Sequence, residues 1–508
     1  MQTPRLVLVL AVIGAVVLSG CTGDGGLLSS KDSKGGAKRV TGVGGFVGEA
    51  YAGAVDQNRS AAPDYDFTNI VEGDHGAPGL HAVRSLHEHS FGLEQVGYSP
   101  LVDTRDPTAW DSGFTALDTW DDGVNFYVCV THFAGNGGAD IADITDPANI
   151  KMLAHIDSGM VNSDCQFTDD GKYLFLGAYT GRDEMNDVMA QYRDMFRESI
   201  PVAGMYDLLG NGVSVWNMED KSNPQFVLFS DTGTYHNLFT VTINDVYWLI
   251  QTYPSDARPH NIYRFNPEGQ GAVIGVNRTE YMTHDMTVAR HPITGDWLLY
   301  TGKGRGMGIM NFNNPEAPVE IGVWVPPATS ETGQDPVAGW HEQEVIPHLV
   351  DGKALVIVAG ERGDGESEPY GVIDVTDPTD PVLLAQWDLP GKPGNQFPDN
   401  FYTYSPHEIG TWNGYVTIAT YHAGVWLWDV GSLERMLSPV TLGQFYASED
   451  PVMHGAPQNP PFAFNPDHWG AYFDSRGHII TADWGSGLYV LGFDKTGTWV
   501  PPANGKQP

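Results

Sequence analysis

The feature that most constrains this 508-residue chain is a repeat. Seven short β-branched and aromatic runs recur, at 125–131, 172–177, 246–251, 296–300, 354–359, 415–419 and 478–482. Each follows tight-turn chemistry: Asp122-Gly123, Asp170-Gly171, Asn244-Asp245, Gly295-Asp296, Asp351-Gly352, Asn413-Gly414 and Arg476-Gly477. Residues that tolerate positive φ between two strand-like runs mark hairpins. A third run follows in each unit and often closes on a polar turn with proline, as at Asp146-Pro147, Asn314-Pro315 and Asp377-Pro378. The side chain bonds the turn backbone while proline stops the ladder. A fourth run then leaves, as at 381–387. Four antiparallel strands repeated seven times predict an all-β fold, a seven-bladed β-propeller.

Inner strands are expected to begin near Gly113, Ser163, His236, His284, His341, His407 and Trp469. This spacing exceeds the ~40–50 residues of common blades, so the loops must carry insertions. One, at 182–210, sets Met185, Val188, Met189, Tyr192, Met195 and Phe196 on one helical stripe, which predicts a short helix packed on the blade or capping the channel. Loops 326–339 and 451–466 are placed to frame the mouth. The last unit stops after its third strand, near Gly492, and residues 93–101 read as the missing fourth. Closing the ring with that N-terminal strand removes an exposed edge. The propeller then occupies 91–494, with a tail at 495–508.

Residues 1–20 are a basic start followed by an apolar run at 6–20, too short for a comfortable membrane span and suited to a signal peptide. Leu18-Ser19-Gly20-Cys21 resembles a prokaryotic lipobox, which implies that Cys21 is lipidated and begins the mature protein. Residues 21–90, with three Gly-Gly pairs, read as a flexible tether. The cluster His81, His87, Glu88 and His89 within it reads first as solvated, with a metal site as the alternative. The expected location is extracytoplasmic, at the cell surface, anchored to the membrane by the lipid.

Acidic residues number 63 against 27 basic, of which only 11 are lysine, and the net charge is −36. Such a surface repels phosphates and excludes a nucleic-acid partner. At molar salt the Debye length falls to ~3 Å and most of the self-repulsion vanishes. The composition resembles that of proteins from extreme halophiles, and the lipobox then resembles that of a haloarchaeal surface lipoprotein. With 41% hydrophobic and 11% aromatic residues, general disorder is excluded. Three cysteines without a C-x-x-C pair exclude a disulfide scaffold and that zinc or redox motif, and Cys129 and Cys165 read as buried thiols.

The run 371–378, Gly-Val-Ile-Asp-Val-Thr-Asp-Pro, with 354–358 before it and 381–384 after it, resembles the LVIVD-repeat propellers of bacterial and archaeal surface proteins. The resemblance extends over 93–493 and implies the fold and an extracytoplasmic location, with no settled activity. Histidines at blade ends are also similar to those of selenium-binding, methanethiol oxidase-like propellers, an analogy of fold only.

Those histidines are the constellation with chemical potential. Four consecutive units begin Tyr235-His236-Asn237, Thr283-His284-Asp285, Trp340-His341-Glu342 and Pro406-His407-Glu408, and the next has Asp467-His468-Trp469. Equal register puts them in one layer near one mouth of the channel. Neutral imidazoles converging there suit Cu, Zn, Fe or Ni, with Asp285, Glu342 and Glu408 as acceptors that orient the rings and His468 as a further member. The competing reading is structural, since the repeated histidine of WD-type propellers is a donor within its own blade. Two units lack the histidine, so the fold does not demand it. His132 and His422, after second strands, are expected to face the same mouth. Lys303 and Arg305 form a basic turn without a phosphate-loop pattern, and Asn58 and Asn277 head glycosylation sequons. No nucleophile elbow or His-Glu-x-x-His motif is present. The sequence therefore points first to a binding module at the cell surface, for a surface protein, glycan or small ligand. The alternative is a His-ligated metalloprotein, an oxidoreductase in its enzymatic form. Converging ring nitrogens support the second; rings bonded separately within their own blades remove it.

Overall fold

The computed structural model describes residues 92–101, 114–132, 137–158, 160–181, 212–230, 237–252, 261–266, 274–278, 284–303, 306–326, 341–361, 369–387, 405–421, 424–445, 447, 468–483 and 487–495. Cys21, the tether with its histidines, the insertion at 182–210, His236, Arg305, His422 and nearly all of the two framing loops lie outside the described residues.

Seven four-stranded antiparallel sheets form the molecule. Their inner strands are Phe114–Asp121, Met160–Phe167, Leu238–Ile243, Met286–Arg290, Glu342–Val345, Ile409–Trp412 and His468–Phe473, for blades one to seven in order. Each inner strand packs against the next, and blade seven packs back on blade one, so the seven surround a common axis. The seven-bladed propeller expected from the repeat is the fold. Blade two begins at Met160, ahead of Ser163, because irregular pairing at 161–164 adds residues to its inner strand.

The ring closes as the sequence predicts. Glu94–Ser99 pairs antiparallel with Gly487–Gly492 as the outer strand of blade seven, with Glu94 opposite Gly492 and Ser99 opposite Leu488. Arg476 ties blade seven to blade one. Its guanidinium donates to the carbonyls of Ile144 and Thr145 in blade one, at 2.9 and 2.8 Å, and lies 3.7 Å from the Phe126 ring centre.

The hairpin turns adopt the backbone that their residues imply. Positive φ occurs at Gly123, Gly171, Gly295 and Gly477, and at both residues of Asn244-Asp245, Asp351-Gly352 and Asn413-Gly414. At the ends of third strands the same Asx turn recurs: Asp143, Asp374 and Asp429 each accept from the backbone N–H two residues on.

The core lies between blades rather than in one mass. Between blades five and six it holds Tyr370, Trp387, Trp426 and Trp428, all fully buried. The Trp387 indole donates to the Met436 carbonyl of the short helix Leu433–Leu437, at 2.8 Å. Cys129 and Cys165 are buried free thiols in the wall between blades one and two.

Candidate metal centre

The site is built at the end of the axis where inner strands begin and second strands finish. His341 immediately precedes the inner strand of blade five, and its backbone N–H donates to the Ala359 carbonyl at 3.2 Å. His284 and His407 stand two residues before the inner strands of blades four and six, and the His407 N–H donates to Ala419 at 2.9 Å. Ladder bonds therefore fix His341 and His407, and His284 stands at the matching place before its own inner strand.

They come together. The His284 and His341 rings stack with centres 4.2 Å apart, and His407 meets His341 edge-on at 4.6 Å. Nε2 of His284 and Nε2 of His341 each lie 3.6 Å from Oε2 of Glu361. The three side chains are 4%, 0% and 1% exposed. A separation of 3.6 Å is too long for a hydrogen bond. It is close to the edge of a tetrahedron around an ion with bonds of ~2.0–2.2 Å, roughly 3.3–3.6 Å.

Further contacts aim these groups. The Tyr421 hydroxyl donates to Oε1 of Glu361, which turns Oε2 toward the two imidazoles. Nδ1 of His407 donates to the Trp469 carbonyl at 2.7 Å, which sets the tautomer and leaves the lone pair on Nε2. Tyr421 and Trp469 also pack on the His407 ring, at 5.0 and 5.2 Å.

Glu361 escaped the sequence reading because it lies outside the His-acid pairs. Its signal is positional: it follows the second strand of blade five by two residues, as Tyr421 follows that of blade six. The acids next to the histidines act differently from the expectation. Glu408 Oε1 is 3.7 Å from His407 Nδ1, beyond hydrogen-bond reach, and the Trp469 carbonyl takes that role. Glu408 Oε2 instead accepts from the Tyr472 hydroxyl of blade seven. Asp285 accepts from the N–H of Met286 at 2.7 Å and is hydrogen-bonded to Glu342.

These acids belong to a carboxylate layer along the channel wall, and several join one blade to the next. Asp118 of blade one accepts from the Phe167 N–H of blade two at 2.7 Å. Asp164 of blade two accepts from the Leu238 N–H of blade three at 2.9 Å. Glu344 of blade five accepts from Thr411 of blade six at 2.8 Å. Burial, the largest influence on each, pushes Asp285 up to about 6, Asp118 to about 7, and Glu344 and Glu408 to about 8. Burial also raises Asp164 and Glu342 well above the ordinary range, reinforced by neighbouring carboxylates.

His468 is not drawn into the cluster. Its Nδ1 faces Thr481 Oγ1 of its own blade at 2.9 Å, and its ring sits beside Phe445 and Tyr489. Burial lowers its pKa. This one histidine follows the within-blade reading. Lys303 is paired with Glu320 at 2.7 Å, which suits an ordinary turn.

Fold and geometry define a class: a seven-bladed β-propeller with a buried histidine–carboxylate cluster at one end of its axis. No family model matches the chain, and no curated protein matches it. Among solved structures it is similar to the WD40 repeats of RRP9, at 12% identity and a TM-score of 0.44, over 79% of this chain and 98% of that one. It is also similar to U3-55K, at 12% identity and a TM-score of 0.45, with the same coverage.

Proposed function

We propose that this chain is an extracytoplasmic β-propeller, tethered by a lipid on Cys21, that binds one divalent transition metal at the mouth of its axis. In this reading the ligands are His284, His341 and Glu361, whose donor atoms lie close enough together to share an ion; His407 stands beside them, and His236 is the remaining candidate by its place in the repeat. The observation that carries the reading is the convergence of two imidazole nitrogens on one carboxylate oxygen, with all three side chains almost wholly buried.

Imidazole with carboxylate suits Zn, Fe, Ni or Cu(II). Three protein ligands leave a coordination position for water or a small ligand, so the mouth serves as a binding surface through its ion. When bound, the ion supplies Lewis-acid chemistry, or electron transfer if it is redox-active. The Tyr421 hydroxyl and the Trp469 carbonyl hold the surrounding groups in place whichever ion binds. The lipobox and the apolar run at 6–20 support the anchored location, and the charge of −36 supports a high-salt environment.

The test is metal analysis of protein purified in molar KCl without a histidine tag, after reconstitution with Cu, Zn, Fe and Ni in turn. His341→Gln and Glu361→Gln, each checked for folding, are expected to lose one equivalent that the parent holds. Folded variants with undiminished metal would sink the proposal, as would a parent that takes up none of the four. For the anchor, Cys21→Ser is expected to leave the membrane fraction, and its retention there would remove the lipid from the account.

A further inference from the structure

A second group of metal-ligating side chains lies in blade one, away from the axis. His132 ends the second strand, Asp140 lies in the third and His155 in the fourth. Register brings them together: Asp140 is opposite His155 on one side and Val130 on the other, with His132 two residues beyond Val130. The His132 N–H donates to the Gly138 carbonyl at 3.0 Å. Gly138 has φ +83°, and a Cβ there would fall 2.0 Å from the Ile156 carbonyl oxygen, so this end of the sheet is held tightly. The three side chains thus project from paired strands, which position ligands better than loops.

His132 Nε2 lies 3.0 Å from Asp140 Oδ2, and His155 Nδ1 lies 2.7 Å from Asp140 Oδ1. Both oxygens of one carboxylate therefore face imidazole nitrogens. His132 and Asp140 are fully buried, while the His155 side chain is 14% exposed, which leaves an approach from solvent. Among the described residues Nδ1 of His132 meets no hydrogen-bond partner, so the polar anchor of that ring there is Nε2, which points into the cluster. The result is a buried carboxyl group flanked by two imidazoles.

We propose that His132, Asp140 and His155 bind a second divalent transition metal, independent of the axial centre. Two imidazoles and a carboxylate bound through both oxygens supply four donor atoms of the borderline type that Zn, Fe and Co accept. Separations near 3 Å between donors are those of adjacent positions around an ion with bonds of ~2.1 Å. They are also those of hydrogen bonds, in which case the group is a His-Asp-His relay and holds no metal. A divalent ion offsets the charge of an ionised carboxylate in so buried a place, whereas the relay leaves it to two hydrogen bonds. In the sequence the three residues belong to no local motif; they meet only through strand register.

The experiment counts Co2+ equivalents bound by the purified protein in molar KCl, with absorption in the visible range reporting ligand geometry. The parent is expected to bind two, His155→Gln and Asp140→Asn one, and His341→Gln the other one. The partly exposed His155 keeps the test valid if Asp140→Asn fails to fold. A folded His155→Gln variant that binds as many equivalents as the parent, with the same spectrum, overturns the second site and assigns the relay. A parent that loses its only equivalent in His155→Gln and keeps it in His341→Gln supports the blade-one site while removing the axial one.

Discussion

Tyr421 carries a left-handed backbone, φ 40°, at the point where chain leaves the second strand of blade six. A bulky residue there is strained, and such strain persists only where surrounding contacts hold it. Here the hydroxyl reaches Oε1 of Glu361, and the main chain bridges to His468. In the proposed centre Tyr421 is thus a positioning residue, one that touches the carboxylate and not the metal position. Tyr421→Phe keeps the ring on His407 and removes only the hydroxyl. Metal affinity is expected to fall by about 10–100-fold, as for other lost outer contacts, with unfolding little changed. Competition against a chelator measures it. Equal affinity in the variant would mean that the Tyr421 hydroxyl does not set the position of Glu361.

At the scale of elements, turns are where sequence dictates most. Gly123 and Gly477 both have positive φ, but they differ in surroundings. A Cβ at Gly123 would meet nothing within 4 Å, whereas one at Gly477 would lie 2.5 Å from the Trp412 ring of the neighbouring blade. Gly123→Ala is expected to cost about 1–2 kcal/mol, the penalty of the left-handed conformation. Gly477→Ala adds overpacking against that ring, which brings a further ~1–3 kcal/mol. Denaturant unfolding of the pair checks the order, and equal losses would show that Trp412 yields freely. These turns were legible because few residues accept positive φ, and the third-strand ends because Asp and Asn bond their own backbone. The site was legible by half. Repetition put His284, His341 and His407 at one level, but Glu361 is one of 63 acidic residues and has no flanking histidine to mark it. Nor could sequence separate His468, whose ring turns toward Thr481 through contacts set by packing. His132 was expected at the axial mouth; it lies at that end of blade one but turns outward to Asp140 and His155, a pairing that needs strand register.

For the whole molecule, the carboxylate layer sets the response to pH. Glu344 is raised from 4.5 to about 8 and Asp118 from 3.8 to about 7, chiefly by burial. The folded state therefore binds protons that the unfolded chain releases. Their stabilisation is fully present below the unfolded values and is lost as pH rises through about 7 to 8. The metal-free protein in constant molar salt is expected to melt at lower temperature as pH climbs from about 5 to about 9. Glu344→Gln, which stays neutral and can still accept from Thr411, should flatten that decline. An unchanged slope would place the titration elsewhere.

The outer strand of blade seven has a consequence in time. Glu94 and Gly492 are partners across one sheet, so the ring joins one of the first described residues to one of the last. During synthesis six blades have all their strands available while the seventh waits, its first-made strand unmatched until Gly487–Gly492 has been made. Bringing such distant segments together is slow compared with forming a local hairpin. A chain stopped before Gly487 leaves Glu94–Ser99 without its partner strand, so it differs from the closed ring by an exposed strand edge.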